Sequence, residues 1–197
     1  MRRAILSFLG FVLTCLVAGC AHEDPLPAPD VMPPEAQSVP ESGRFVLTGI
    51  RRPIVALITP NGIQGPDVNL GRFPNPDGTI AWRGTAFQRD VNLTVKSDGA
   101  EGIVHRTQFN LNVTPGPDGM QVTGLVGQPS RITISKARIN GNFGRCGYDI
   151  QFQGQAYVGP RSCGGSPIQI GVTLPTILTT WSDAEVATVL ALLLSGR

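Results

Sequence analysis

The clearest order in this chain is an alternation of apolar and polar positions that restarts at spaced glycines. Gly84 precedes Val91-Asn92-Leu93-Thr94-Val95, Gly102 precedes Phe109-Asn110-Leu111-Asn112-Val113, and Gly124 precedes Ile132-Thr133-Ile134. The phrase returns at Gly141, before Tyr148-Asp149-Ile150-Gln151-Phe152, and at Gly159, before Ile168-Gln169-Ile170-Gly171-Val172. The intervals are 18, 22, 17 and 18 residues, enough for two strands and two turns. A period of two is the mark of a strand with one buried face and one wet face.

The turns between these strands are legible as chemistry. Pro76-Asp77-Gly78, Ser97-Asp98-Gly99 and Pro117-Asp118-Gly119 occupy matching places, and each is a good hairpin closure. The opposite turns fall near Gln88-Arg89, His105-Arg106, Gly127-Gln128-Pro129, Arg145-Cys146-Gly147 and Cys163-Gly164-Gly165. Upstream, Arg44 to Ile50 and Pro53 to Ile58 are apolar, β-branched runs of strand length, and Asn61-Gly62 is a hairpin dipeptide. Val68-Asn69-Leu70 echoes Val91-Asn92-Leu93, as a worn copy of the repeat would.

A glycine recurring inside alternate strands weakens pairing and marks a bend or bulge. Repeated bends let a sheet coil and close. The expected fold is therefore all-β: a coiled antiparallel meander of roughly eight to ten strands built from repeated hairpins, barrel-like or closed. A β-solenoid is the alternative, because periods of this length also suit stacked coils. Cys146 and Cys163 lie at nearly equivalent places one period apart. A solenoid would stack them about 4.8 Å apart, whereas a flat meander would set them two strands, about 10 Å, apart unless the loops lean together.

Near the end the period changes. Ser182-Asp183-Ala184-Glu185 is a capping box, and Ala and Leu dominate up to Leu194, with Gly196 beyond. This predicts one short C-terminal helix over about 183–194. It is apolar on almost every side, so it belongs inside, plugging a barrel end or covering a sheet face, with Pro175 and Trp181 fixing its approach. A helix of about twelve residues is too short to cross a bilayer.

The start of the chain has a different character. Met1-Arg2-Arg3 precedes an apolar run from Ala4 to Ala18, the layout of a secretory signal peptide. The run ends in Leu16-Val17-Ala18-Gly19-Cys20, which resembles the lipobox of bacterial lipoproteins. That resemblance covers only the first twenty residues. It implies removal of residues 1–19, acylation of Cys20 and a membrane anchor. With Ala21 rather than Asp after the cysteine, it also implies the outer membrane of the cell envelope. Residues 20–44 read as an acidic tether, with six prolines and Glu23, Asp24, Asp30, Glu35 and Glu41 against a single Arg44. Too little of it is apolar to offset the entropy of ordering. Residues 45–197 form a single domain on this reading.

Composition then removes several functions. The chain has 16 Lys+Arg against 14 Asp+Glu, but Arg2 and Arg3 depart with the signal, so the mature form is formally neutral. It has no basic block interleaved with aromatics, so nucleic acid is not an expected partner. Cys15 and Cys20 are accounted for by the signal and the anchor. Cys146 and Cys163 remain in an oxidising compartment and are expected to form a disulfide. His22 and His105 do not supply a triad or a histidine metal site. Asp77, Asp98 and Asp118 sit singly in their turns, without the clustered oxygens that calcium requires. Gly159 to Gly165 departs from the spacing of a nucleophile elbow. These residues predict no catalytic, metal or cofactor site. They point to a lipid-anchored, non-enzymatic structural or interaction module, partnered by an envelope protein or by a glycan laid on the Asn/Thr/Gln strand faces. A lipocalin-like carrier of a small hydrophobic ligand is the alternative, and an envelope hydrolase the third.

Overall fold

The structure, a computed structural model, describes residues 43–196; Cys20, His22, the signal, the tether as far as residue 42, and Arg197 lie outside the described residues. The first four strands are β1 (Gly43–Thr48), β2 (Ile54–Thr59), β3 (Gly62–Gly65) and β4 (Val68–Pro74). The repeat supplies β5 (Ile80–Ala86), β6 (Arg89–Lys96), β7 (Gly99–Val104), β8 (Thr107–Gly116) and β9 (Gly119–Val126). It continues through β10 (Pro129–Ser135), β11 (Arg138–Phe143), β12 (Cys146–Phe152), β13 (Tyr157–Ser162) and β14 (Ile168–Thr173). A 3₁₀ turn, Thr176–Thr180, leads into helix α1, Asp183–Ser195.

Each strand pairs antiparallel with its neighbour in sequence, and β1 pairs with β14, so the fourteen strands form a closed barrel. The seam is short, with Val46, Leu47 and Thr48 opposite Thr173, Val172 and Gly171. The strand count exceeds the expected one because the worn segment before Phe73 contributes four full strands to the same meander.

The recurring glycines do the bending. Gly84 and Gly124 both sit at φ 138°, a conformation that side-chain-bearing residues avoid, and Gly102 and Gly141 repeat it at 144° and 130°. A Cβ on Gly84 or Gly124 would collide with the carbonyl of Asn69 or Asn110 on the preceding strand. The backbone approaches that closely only because nothing projects there, and alternate strands bend at equivalent heights.

The pleat is apolar inside and polar outside. Val91, Leu93 and Val95 of β6 are buried, while Asn92 and Lys96 face water; Phe109, Leu111 and Val113 of β8 alternate with exposed Asn110 and Asn112. This is the reverse of a lipid-facing barrel, which carries its apolar band outward. Among the described residues no helix is long and apolar enough to cross a membrane.

Helix α1 runs inside the barrel rather than over an end. Ten of its thirteen residues are buried, including Val189, Leu190, Leu193 and Leu194, and it packs chiefly against β6–β9 and β11. At 1.5 Å per residue it is about 20 Å long, comparable to the barrel's own height. Fourteen strands about 4.8 Å apart, tilted by about 40°, enclose a radius of about 14 Å, which leaves room for one helix and a jacket of side chains. Its one buried hydroxyl, Thr188, donates to the carbonyl of Ala184 at 2.7 Å, so the helix enters the apolar interior with that group satisfied.

Candidate functional site

The barrel has two unlike ends. At one end lie the turns at Pro76-Asp77, Ser97-Asp98 and Pro117-Asp118, together with Gly43, where β1 begins, and the 3₁₀ turn. We call this the base; the opposite end is the mouth.

The base is closed by the approach to α1. Ser182 accepts from the Glu185 amide at 3.3 Å, half of the expected capping box. The Glu185 side chain does not reach back; it takes a bidentate pair from Arg72 instead, Oε1 at 2.8 Å and Oε2 at 3.1 Å. Arg72 also lies over the Trp181 ring, 5.6 Å from its centroid, and Trp181 packs at 5.5 Å against the fully buried Trp82. Burying a carboxylate beside the positive helix N-terminus is tolerable because a guanidinium answers both of its oxygens.

The three turn aspartates lie at this end as predicted, in three separate turns. Asp77 accepts from the backbone and the hydroxyl of Thr79, at 2.9 and 2.7 Å, and these bonds hold its carboxyl below the ordinary value. Among the described residues no three or more His, Cys, Asp or Glu gather as a metal group. Ser162 donates to the Gly165 carbonyl at 2.9 Å, so its hydroxyl serves the turn.

At the mouth, the Cys146–Cys163 disulfide is present, with Cα atoms 4.1 Å apart. The expectation that a meander would separate these cysteines by two strands is corrected. Cys146 starts β12, Cys163 follows the end of β13, and Gly147 pairs with Ser162, so the cysteines occupy the next rung of adjacent strands. Their nearly equal offsets from Gly141 and Gly159, five and four residues, do not mark equivalent places, because one offset crosses a turn and the other does not. The solenoid falls with this correction and with the closed antiparallel pairing.

Beside the disulfide, the helix ends on a buried polar group. The Tyr148 hydroxyl donates to the Leu194 carbonyl at 2.6 Å, and Arg161, itself 5% exposed, donates to the same carbonyl at 3.3 Å and to the Tyr148 oxygen at 3.2 Å. Two donors thus satisfy a carbonyl left over at the helix C-terminus and offset the negative end of its dipole. Burial pushes the Tyr148 hydroxyl above its ordinary value, while Arg161 draws it partly back. Sequence reading missed Arg161, though a signal was there: it shares the inward face of β13 with Tyr157 and Gly159.

Above the helix end opens a cavity of about 500 Å³. Phe109, Phe143 and Leu192 form its apolar depth, and Arg89, His105 and Arg145 line its rim. Arg89 points inward because it shares a strand face with Val91, Leu93 and Val95. Two adjacent turns of this rim have backbone that ordinary residues avoid. Phe87 and Gln88 take φ 53° and 61°, and His105 and Arg106 take 46° and 65°. These four are the positive-φ residues other than glycine among the described residues. Such turns favour Asn-Gly, and left-handed backbone at other residues costs free energy that the surrounding structure must offset.

Comparison with known protein families, curated proteins and solved structures finds no match. The functional reading therefore rests on this geometry.

Proposed function

We propose that this chain is a lipid-anchored module of the bacterial cell envelope, tethered through acylated Cys20 to the outer membrane, which acts by binding rather than by catalysis. The observation that carries this reading is the polarity of the barrel. The chain comes into the fold at Gly43, at the base, and the cavity with its left-handed turns opens at the other end. The side chains there are guanidinium, imidazole, amide and aromatic groups, which hold a ligand or a partner surface.

A carrier of the lipocalin kind is the second reading. Helix α1 fills the axis that a lipocalin leaves for its ligand, so a carrier would use the mouth cavity instead. Its volume exceeds the roughly 300 Å³ at which ligand pockets begin, but its rim is polar.

Two measurements test the main reading. Labelled palmitate should be incorporated into the full chain in a Gram-negative host and lost in Cys20→Ser; label that persists in the variant overturns the anchor. A photo-crosslinking residue at position 106, on the mouth, should give discrete protein or glycan adducts in intact cells, whereas one at position 136, on the base, should not. Silence at 106 overturns the binding role.

A further inference from the structure

The charges of the barrel are sorted by end. Arg51, Arg52, Arg89, Arg106, Arg145 and Arg161 belong to the mouth, while at the base Arg44, Arg72, Lys96, Lys136 and Arg138 are matched in number by Asp77, Asp98, Asp118, Asp183 and Glu185. The mouth also has Asp67 and Asp90, but neither lines the cavity, and Asp90 shares the outward face of β6 with Asn92 and Thr94. A second hollow at the same end, about 380 Å³, is lined by Ile50, Arg51, Arg52, Arg161 and Ile168. The helix C-terminus, whose dipole would also repel an anion, has its Leu194 carbonyl covered by the Arg161 guanidinium and the Tyr148 hydroxyl.

We propose that the mouth cavity is a binding site for a small organic anion, a compound with a carboxylate or similar oxyanion on an apolar body. The anionic group sits at the rim, where Arg89, His105 and Arg145 converge from three different connections. The apolar body lies against Phe109, Phe143 and Leu192 below. Guanidinium groups suit this task because their donors match the two oxygens of a carboxylate and because they remain charged at any physiological pH. A concave site with low-dielectric walls focuses their field on whatever enters. The left-handed turns fit the same role, because they fix Phe87 and His105 at the lip of the cavity, with Phe87 packed over Gly196 at the helix end. This inference rests on the binding-module reading, and it names the chemistry of the ligand.

The test is isothermal titration of the full lipidated chain in phosphatidylcholine nanodiscs with three probes: cyclohexanecarboxylate, its neutral isostere cyclohexanecarboxamide, and inorganic phosphate. The carboxylate should bind once per chain, at least about tenfold more tightly than the carboxamide, a factor of ten being about 1.4 kcal/mol. The double variant Arg89→Gln/Arg145→Gln should lose that tenfold preference. Arg131→Gln, on the outer wall of β10, should keep it. Both arginines of the double variant are exposed, and circular dichroism checks that each variant is folded.

Equal binding of carboxylate and carboxamide, or a double variant that keeps the preference, overturns the anion site. Phosphate binding as tightly as the carboxylate overturns the role of the apolar floor. No heat with any probe overturns the proposal altogether. The crosslinks from position 106 report separately on the binding module, so the two failures are told apart.

Discussion

At the base, Asp77 folds back on Thr79, Gly78 takes φ 82° with open space where a side chain would go, and among the described residues there none other than glycine has a positive φ. At the mouth, Phe87-Gln88 and His105-Arg106 hold the left-handed conformation without a glycine or an asparagine between them. Both ends perform the same covalent task of joining neighbouring antiparallel strands. They differ in what the side chains are free to do. The base uses residues chosen by the turn, and their side chains are consumed in making it. Two turns of the mouth use residues that suit the turn badly, and from them Phe87 and His105 face the cavity. Strain of this kind concentrates at functional sites, and it is one support for placing the proposed binding role at the mouth.

The sharpest way to break the comparison is at the base. Glu185→Ala should destabilise the chain by about 3–5 kcal/mol in urea unfolding, because Arg72 would be left against Trp181 without its carboxylate. A loss under about 1 kcal/mol would mean that the base is not what holds the helix. The next effect belongs to the mouth: Cys146→Ser/Cys163→Ser should cost about 3 kcal/mol on the chain-entropy account, given a separation of 17 residues. Tyr148→Phe should cost about 1–2 kcal/mol by removing a buried donor from Leu194.

The same tyrosine predicts a pH dependence. Its folded value is raised, so its contribution is intact below the unfolded value near 10 and is lost as pH climbs through the folded one. Alkaline unfolding profiles should therefore be flatter in Tyr148→Phe; superimposable profiles would remove Tyr148 from the account.

The smallest effect has the opposite sign. Replacing His105-Arg106 with Asn-Gly should stabilise the barrel by about 1 kcal/mol while weakening carboxylate binding at the mouth. If it destabilises instead, those two residues are there for packing and not for display.

Much of this molecule was legible in its sequence because the signals are local. The Asp-Gly turns, the period-two strands and the Ser182 cap each involve residues a few positions apart, the glycine period spans only one hairpin, and each found its place in the structure. The seam between β1 and β14 could not be read that way, because Val46 and Thr173 carry no mark of one another. Nor could the Arg72–Glu185 pair, whose partners are 113 residues apart. The mouth was hidden for a further reason. His105-Arg106 and Phe87-Gln88 have no preference for the conformation they adopt, so no propensity announces it. The cavity they frame exists only once the barrel closes.

That closure also bears on how the chain becomes a protein. Thirteen of the fourteen strand pairings join neighbours in sequence, and hairpins of this sort form early and cheaply. The last pairing is different in kind: Thr48 and Gly171 are 123 residues apart, so nearly the whole chain is the loop that must be closed. Helix α1 follows β14 after one 3₁₀ turn and ends up within the ring that β14 completes. A ribosome or an export channel that releases the chain from its N-terminus delivers the hairpins first and both the seam and the plug last. Until β14 emerges the sheet has an open edge on each side, and until α1 follows its apolar lining is uncovered. For this fold the arrival of β14 is the moment at which two exposed strand edges are removed at once.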